Sequence, residues 1–378
     1  MASTQSDIDL DVRGIKSRIH YLVQEGPDDA PVLLLLHGHS SSIGEFDNLL
    51  PELEGKAVVF AFDQPSCGQS AEARREPIFD VYRPLPWARH YEVLFYLRDL
   101  VHAFAWQVIR PRVRASGRRV RIAGGSLGGN LALLVAERKP KHTWLEAAYC
   151  WSPGSAWAPD FTNSLAGPVT RGRADKAWTQ EDMRPFVIGT YVDNVVIGPA
   201  FPQPWYWYFD CWGEDAHPDC QKRGNGACSR CEHKPDLRLP DGERLSSDNY
   251  PRMSAKKARH IEAGLLGAAQ SARPDRMAWH WEVAAEQVDL SHRQRLTGGL
   301  RRIERLQCPT KFMAGMEDRH FPAPLCDDTR ACYELAVAQH AKNPAAARVS
   351  ARWFDATGHS LHNERPRELA AILAGAPL

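Results

Sequence analysis

Short apolar runs recur along the chain at 32–36, 58–62, 120–123, 147–151, 311–314 and 349–354, each closed by glycine, aspartate or proline. Runs this short predict strands, and those apolar at nearly every position predict strands covered on both faces of a sheet. Between them the period changes. Over 90–116, Val93, Leu97, Leu100, Val101, Phe104 and Val108 recur at steps of three, four and one, which predicts an amphipathic helix stopped by Gly117. "LGGNLALLVAERKP" predicts a second helix closing at Pro140, and "RPRELAAILAG" a third with Pro366 near its start. Strand and helix alternating in this way point to α/β class, with a mostly parallel central sheet and helices on both faces. The alternation breaks between about Trp151 and Cys308, where eight of the twelve tryptophans gather, and core-type strands resume with "CPTKFMAG". The expected organisation is a core built from 1–155 and 306–378, interrupted by a largely helical inserted cap at 156–305.

Composition narrows the partners. At 378 residues and 43% hydrophobic, the chain can bury a substantial core. A net charge of +1 with no long run of one sign argues against a nucleic-acid partner or a polybasic membrane patch. No stretch approaches the ~18 apolar residues that cross a bilayer. The N-terminus lacks a basic start followed by an apolar segment. A cytoplasmic protein without a transmembrane segment is therefore expected, its nine cysteines mostly reduced or metal-bound.

The candidate chemistry starts at "RRVRIAGGSLGGN", residues 118–130. A serine hydroxyl is a poor nucleophile until a base takes its proton and the oxyanion formed on its substrate is stabilised. A sharp strand-to-helix turn serves both needs, projecting Oγ from the sheet and aiming helix N-terminal N–H groups at developing negative charge. Such a turn strains the serine and requires small residues two positions before and after it. Around Ser126 those positions are Gly124 and Gly128, with Gly125 and Gly129 allowing further close approach.

Here the chain resembles the α/β-hydrolase superfamily, over about residues 15–155 and 306–378. The family places a His-Gly pair after an early buried strand, matched by His37 and Gly38 in "LLLLHGHSSS". The resemblance implies an oxyanion hole made by the backbone N–H groups of His39 and Leu127. "FAFDQPSCGQS" is similar to the family's aspartate-proline-glycine loop but carries Ser66 where a glycine is usual, and makes Asp63 a loop anchor. The order of a triad in this fold is serine, acid, histidine. In "CPTKFMAGMEDRHFP" the family pattern puts the acid three residues after Gly315, at Asp318, with Glu317 and Asp160 as alternatives. In "RWFDATGHSLHNERPRELAAIL" the general base falls on His359, after Gly358, with His362 nearby at a helix start. The implied triad is Ser126, Asp318 and His359.

The cap adds a second signal. Cys211, Cys220, Cys228 and Cys231 lie within "CWGEDAHPDCQKRGNGACSRCEH", two of them as C-x-x-C, and could form a structural zinc site. Disulfides or free thiols are the other outcomes the spacing allows. Four cysteines would leave no open coordination position, so catalysis is expected to need no cofactor. "FPQPWYWYFDCW", Trp279 and Trp281 either line an apolar pocket or fill the cap core. The expected function is a serine hydrolase cleaving a carboxylic ester, through an acyl-enzyme, on an apolar or aromatic small molecule. Acyltransferase, amidase, thioesterase and C–C bond hydrolase chemistry run on the same triad. A non-catalytic ligand-binding protein of this fold is the alternative of another class.

Overall fold

The computed structural model describes residues 3–38, 41–86, 91–137, 144–153, 306–315, 348–354, 357 and 361–375, together with Trp279, Val283 and Glu286. Among these residues eight strands form one sheet in the order β1-β2-β4-β3-β5-β6-β7-β8. The strands are β1 (Ser3–Val12), β2 (Ile15–Gln24), β3 (Val32–Leu36), β4 (Val58–Phe62), β5 (Val120–Gly125), β6 (Leu145–Trp151), β7 (Thr310–Gly315) and β8 (Val349–Phe354). The pairs from β4 through β8 are parallel, while β2 runs antiparallel to both β1 and β4.

The uninterrupted apolar runs lie where continuous hydrophobicity requires. All five residues of β3 and all five of β4 are buried, consistent with apolar cover on both faces. One face is covered by α2 (Arg75–Tyr82), α3 (Glu92–Phe104) and α5 (Leu127–Ala136). On the other face lie α1 (Leu50–Leu53), α6 (Leu361–Glu364) and α7 (Pro366–Ala374). The amphipathic pattern of 90–116 forms α3, a π turn at Ala105–Ile109, α4 (Arg110–Val113) and a 3-10 turn at Arg114–Ser116. It stops at Gly117, whose φ of 66° is the left-handed conformation glycine adopts most easily.

Two features went beyond the apolar runs. The β1–β2 hairpin pairs ten residues of each strand, from Ser3 opposite Gln24 to Val12 opposite Ile15. Its tight turn is Arg13-Gly14, both at positive φ (55° and 86°), the sign a two-residue type I′ hairpin loop demands. The second is the seat of Trp279. It is 1% exposed and meets the Tyr96 ring edge-on at 6.2 Å, so its large ring fills the core rather than lining a pocket. Close in sequence, the buried Glu286 carboxylate accepts the Val93 and Leu94 N–H groups at 2.9 and 2.8 Å. It thereby satisfies donors that the first turn of α3 leaves without intrahelical partners. The remainder of the expected cap, with Cys211, Cys220, Cys228, Cys231 and Trp281, lies outside the described residues.

The strand order positions a site before any side chain is considered. From β3 the chain winds to β4 on one side, then returns to add β5 on the other. Loops leaving the carboxyl ends of β3 and β5 therefore diverge, and open α/β sheets bind ligands in the crevice at such a reversal. His37-Gly38 follows β3, and Ser126 follows β5.

Candidate active site

The turn after β5 is sharp. Ser126 has φ 53° and ψ −119°, a conformation normally left to glycine that costs a larger residue on the order of 1–3 kcal/mol. Backbone bonds hold it there: the Ser126 N–H donates to the Trp151 carbonyl at 3.1 Å, and its own carbonyl accepts the Asn130 N–H at 3.0 Å. The flanking glycines are needed for space rather than for φ. A Cβ on Gly124 would lie 2.5 Å from the Gly128 carbonyl carbon and 2.7 Å from the Leu36 oxygen. One on Gly128 would collide with that same Leu36 oxygen. Helix α5 thus starts directly against the end of β3. At Gly125 the obstruction is a side chain, the Trp151 indole.

Ser126 occupies the cap position of α5 yet makes no side-chain capping bond, and it is only partly buried. Leu127, Gly128 and Gly129 precede the first intrahelical donor, Asn130. Their N–H groups carry the positive end of the helix dipole. A hydroxyl beside a cluster of such donors has the elements of an acyl-transfer site.

The loop after β3 is built around His37, which is fully buried. Its Nε2 accepts the Gln64 backbone N–H at 2.9 Å. A backbone N–H can only donate, so the ring proton sits on Nδ1, which donates to the Gly38 carbonyl at 2.7 Å. The Gly38 N–H in turn donates to Glu45 Oε2 at 2.8 Å. Asp63 accepts the Ile43 N–H at 2.7 Å on one oxygen and the Gln69 N–H at 2.8 Å on the other. Both oxygens are committed to backbone, as a loop anchor requires.

The Alpha/beta hydrolase family model matches residues 33–372. The chain belongs to the α/β hydrolase family. Solved structures similar to this α/β hydrolase include a probable hydrolytic enzyme from Pseudomonas aeruginosa PAO1, 16% identical, covering 98% of this chain and 93% of the other at TM-score 0.54. The epoxide hydrolase CorEH is 13% identical, covers 98% and 97%, and has TM-score 0.52. A membrane phospholipase A, described as a bacterial virulence factor, is 19% identical, covers 97% and 84%, and has TM-score 0.51. At these identities the likeness is one of fold. No curated protein sequence matches the chain.

Among the residues the sequence singled out, the structure of this α/β hydrolase brings His37, Gly38, Gly124, Ser126, Leu127 and Gly128 together. A Cβ on Gly38 would lie 3.3 Å from Glu45 Oε2 and 3.6 Å from Ser126 Cβ. His39, Asp318, Glu317, Asp160 and His359 lie outside the described residues. The strands leading to two of them are described. β7 ends at Gly315 beside Phe354, the last residue of β8, and both run parallel to β5. The chain therefore leaves β7 and β8 at the sheet edge from which Ser126 rises.

His362 is described, and it is not poised as a base. It is 4% exposed; its Nδ1 accepts the Trp151 indole N–H at 3.0 Å, and its Nε2 faces Glu45 Oε1 at 3.6 Å. Glu45 is the residue sequence reasoning missed. One carboxylate in "SSIGEFDNLL" carries no local signal, and its partners lie before it in the chain and near the C-terminus.

No group of three metal-ligating side chains occurs among the described residues. Nor does any described helix have the length and hydropathy to cross a membrane. Cys67, Cys150 and Cys308 are buried, and burial pushes the Cys308 thiol up to about 12. That thiol stays protonated near neutrality, far from a nucleophile.

Proposed function

We propose that this α/β hydrolase is a serine hydrolase that cleaves a carboxylic ester of an apolar or aromatic small molecule. The observation that carries the reading is Ser126 at φ 53° and ψ −119°, partly exposed at the N-terminus of α5 and at the reversal in strand order. His359 takes the Ser126 proton as Oγ bonds to the ester carbonyl carbon, and Asp318 orients the imidazole. The Leu127 and His39 N–H groups hold the oxyanion. His359 then returns the proton to the departing alcohol, and water, activated in the same way, releases the acid. A serine nucleophile separates this chemistry from that of the family's aspartate-dependent epoxide hydrolases and dehalogenases. Neither catalytic metal nor cofactor enters these steps.

A fluorophosphonate probe tests the nucleophile. Labelling is expected on Ser126, and Ser126→Ala should abolish it and lower p-nitrophenyl acetate turnover about 10⁴-fold or more. Folded protein that does not label, or labels equally after Ser126→Ala, overturns the assignment. Product analysis with and without an added alcohol then separates hydrolysis from acyl transfer.

A further inference from the structure

We propose that Glu45 is a positioning residue for the oxyanion loop, acting through Gly38; this rests on the serine-hydrolase reading above. Gly38 immediately precedes the proposed donor His39, and both of its own backbone polar groups are committed. Its N–H donates to Glu45 Oε2 at 2.8 Å, and its carbonyl accepts from His37 Nδ1 at 2.7 Å. A planar trans peptide unit points its N–H opposite to its C=O. Glu45 and His37 thus hold the two peptide units that Gly38 joins, Glu45 the one before it and His37 the one that leads to the proposed donor.

Glu45 is itself held from several sides. It lies in the 3-10 turn Ile43–Phe46, whose first N–H is anchored by Asp63. Phe46 next to it packs edge-on against His362 at 6.0 Å. The Trp151 indole N–H occupies His362 Nδ1, which puts the imidazole proton on Nε2, facing Glu45 Oε1 at 3.6 Å. The carbonyl of the same Trp151 accepts the Ser126 N–H. One tryptophan thus holds the nucleophile's backbone and orients His362, whose ring packs on Phe46 and faces Glu45.

A carboxylate only 6% exposed is costly to bury for the sake of fold alone. It is also a poor direct participant, because negative charge so near a forming oxyanion would oppose it. Its use is as a hydrogen-bond acceptor of fixed position, a role the neutral amide of glutamine can also fill.

The test compares Glu45→Met, which keeps the volume and removes the acceptor, with Glu45→Gln, which keeps an acceptor and removes the charge. With p-nitrophenyl acetate, Glu45→Met should lower kcat about 100-fold with KM nearly unchanged, the effect expected of a misplaced catalytic group. Binding of phenylboronic acid, which forms a tetrahedral adduct on the serine, should weaken by a similar factor. Glu45→Gln should restore both to within about threefold, since the hydrogen bond it keeps carries the effect. Wild-type kcat and boronate affinity in Glu45→Met overturn the proposal. So does Glu45→Gln as impaired as Glu45→Met, which would make the charge essential. If Glu45→Met and a backup Glu45→Ala both fail to fold, Glu45 is scaffold and the proposal falls. Fluorophosphonate labelling that survives Ser126→Ala instead overturns the underlying reading, whatever Glu45 does.

Discussion

Two of the serines at positive φ in this α/β hydrolase, one after β4 and one after β5, are used in opposite ways. Ser66, in the loop after β4, has φ 62°, and Ser126, after β5, has φ 53°. Ser66 is 1% exposed, its N–H donates to the Ala71 carbonyl, and its hydroxyl accepts the Ala73 N–H at 2.9 Å. Its hydroxyl is consumed in closing the loop that Asp63 anchors. Ser126 spends no hydroxyl bond on capping its helix and remains partly exposed. Positive φ at a serine is therefore no mark of reactivity by itself. What distinguishes Ser126 is strain combined with an uncommitted cap position and a row of helix N-terminal donors beside it.

The sharpest way to break this contrast is Ser126→Gly. Activity should fall about 10⁴-fold or more, while relief of strain raises stability by roughly 1 kcal/mol, the lower end of what such a conformation costs. Urea denaturation of wild type and variant measures the second effect. A destabilised Ser126→Gly would mean that the strain is not held by the surrounding structure as described. Gly128→Ala comes next. Its Cβ would press on the Leu36 carbonyl oxygen, so a loss of about 3 kcal/mol is expected, at the upper end of overpacking costs. Wild-type stability for this variant would show that α5 has room to move away from β3. The smallest effect belongs to Ser66→Ala. Removing the hydroxyl leaves the Ala73 N–H without its partner and should cost about 1–2 kcal/mol. Turnover by the folded fraction should stay at wild-type level, and a large drop in kcat would erase the contrast between the two serines.

The departure at Ser66 illustrates how far local sequence reaches. Glycine is usual there in the family, and the φ of 62° gives the reason. That serine can replace it follows only from the Ala73 N–H seven residues away. The strands 32–36 and 58–62 were legible because every position is apolar and every position is buried. The β1–β2 hairpin was harder to read. Polar residues alternate through "STQSDIDLDV", whose first five residues are exposed, so no continuous apolar run marks it. Trp279 was ambiguous because an aromatic ring satisfies a core and a pocket equally well until its neighbours are known.

The linear pattern by itself determined the parallel α/β core, the glycines around Ser126 and the position of Gly38 after a buried strand. Those features depend on neighbours in sequence: runs of apolar residues, and small residues at fixed offsets from one serine. Tertiary structure alone decided that β3 lies between β4 and β5, and that Gly128 meets Leu36 across them. It also decided that Trp151, His362 and Glu45 close a chain of contacts on Gly38. Their partners are separated by many residues, and hydrogen bonds between such distant groups leave no period in the sequence.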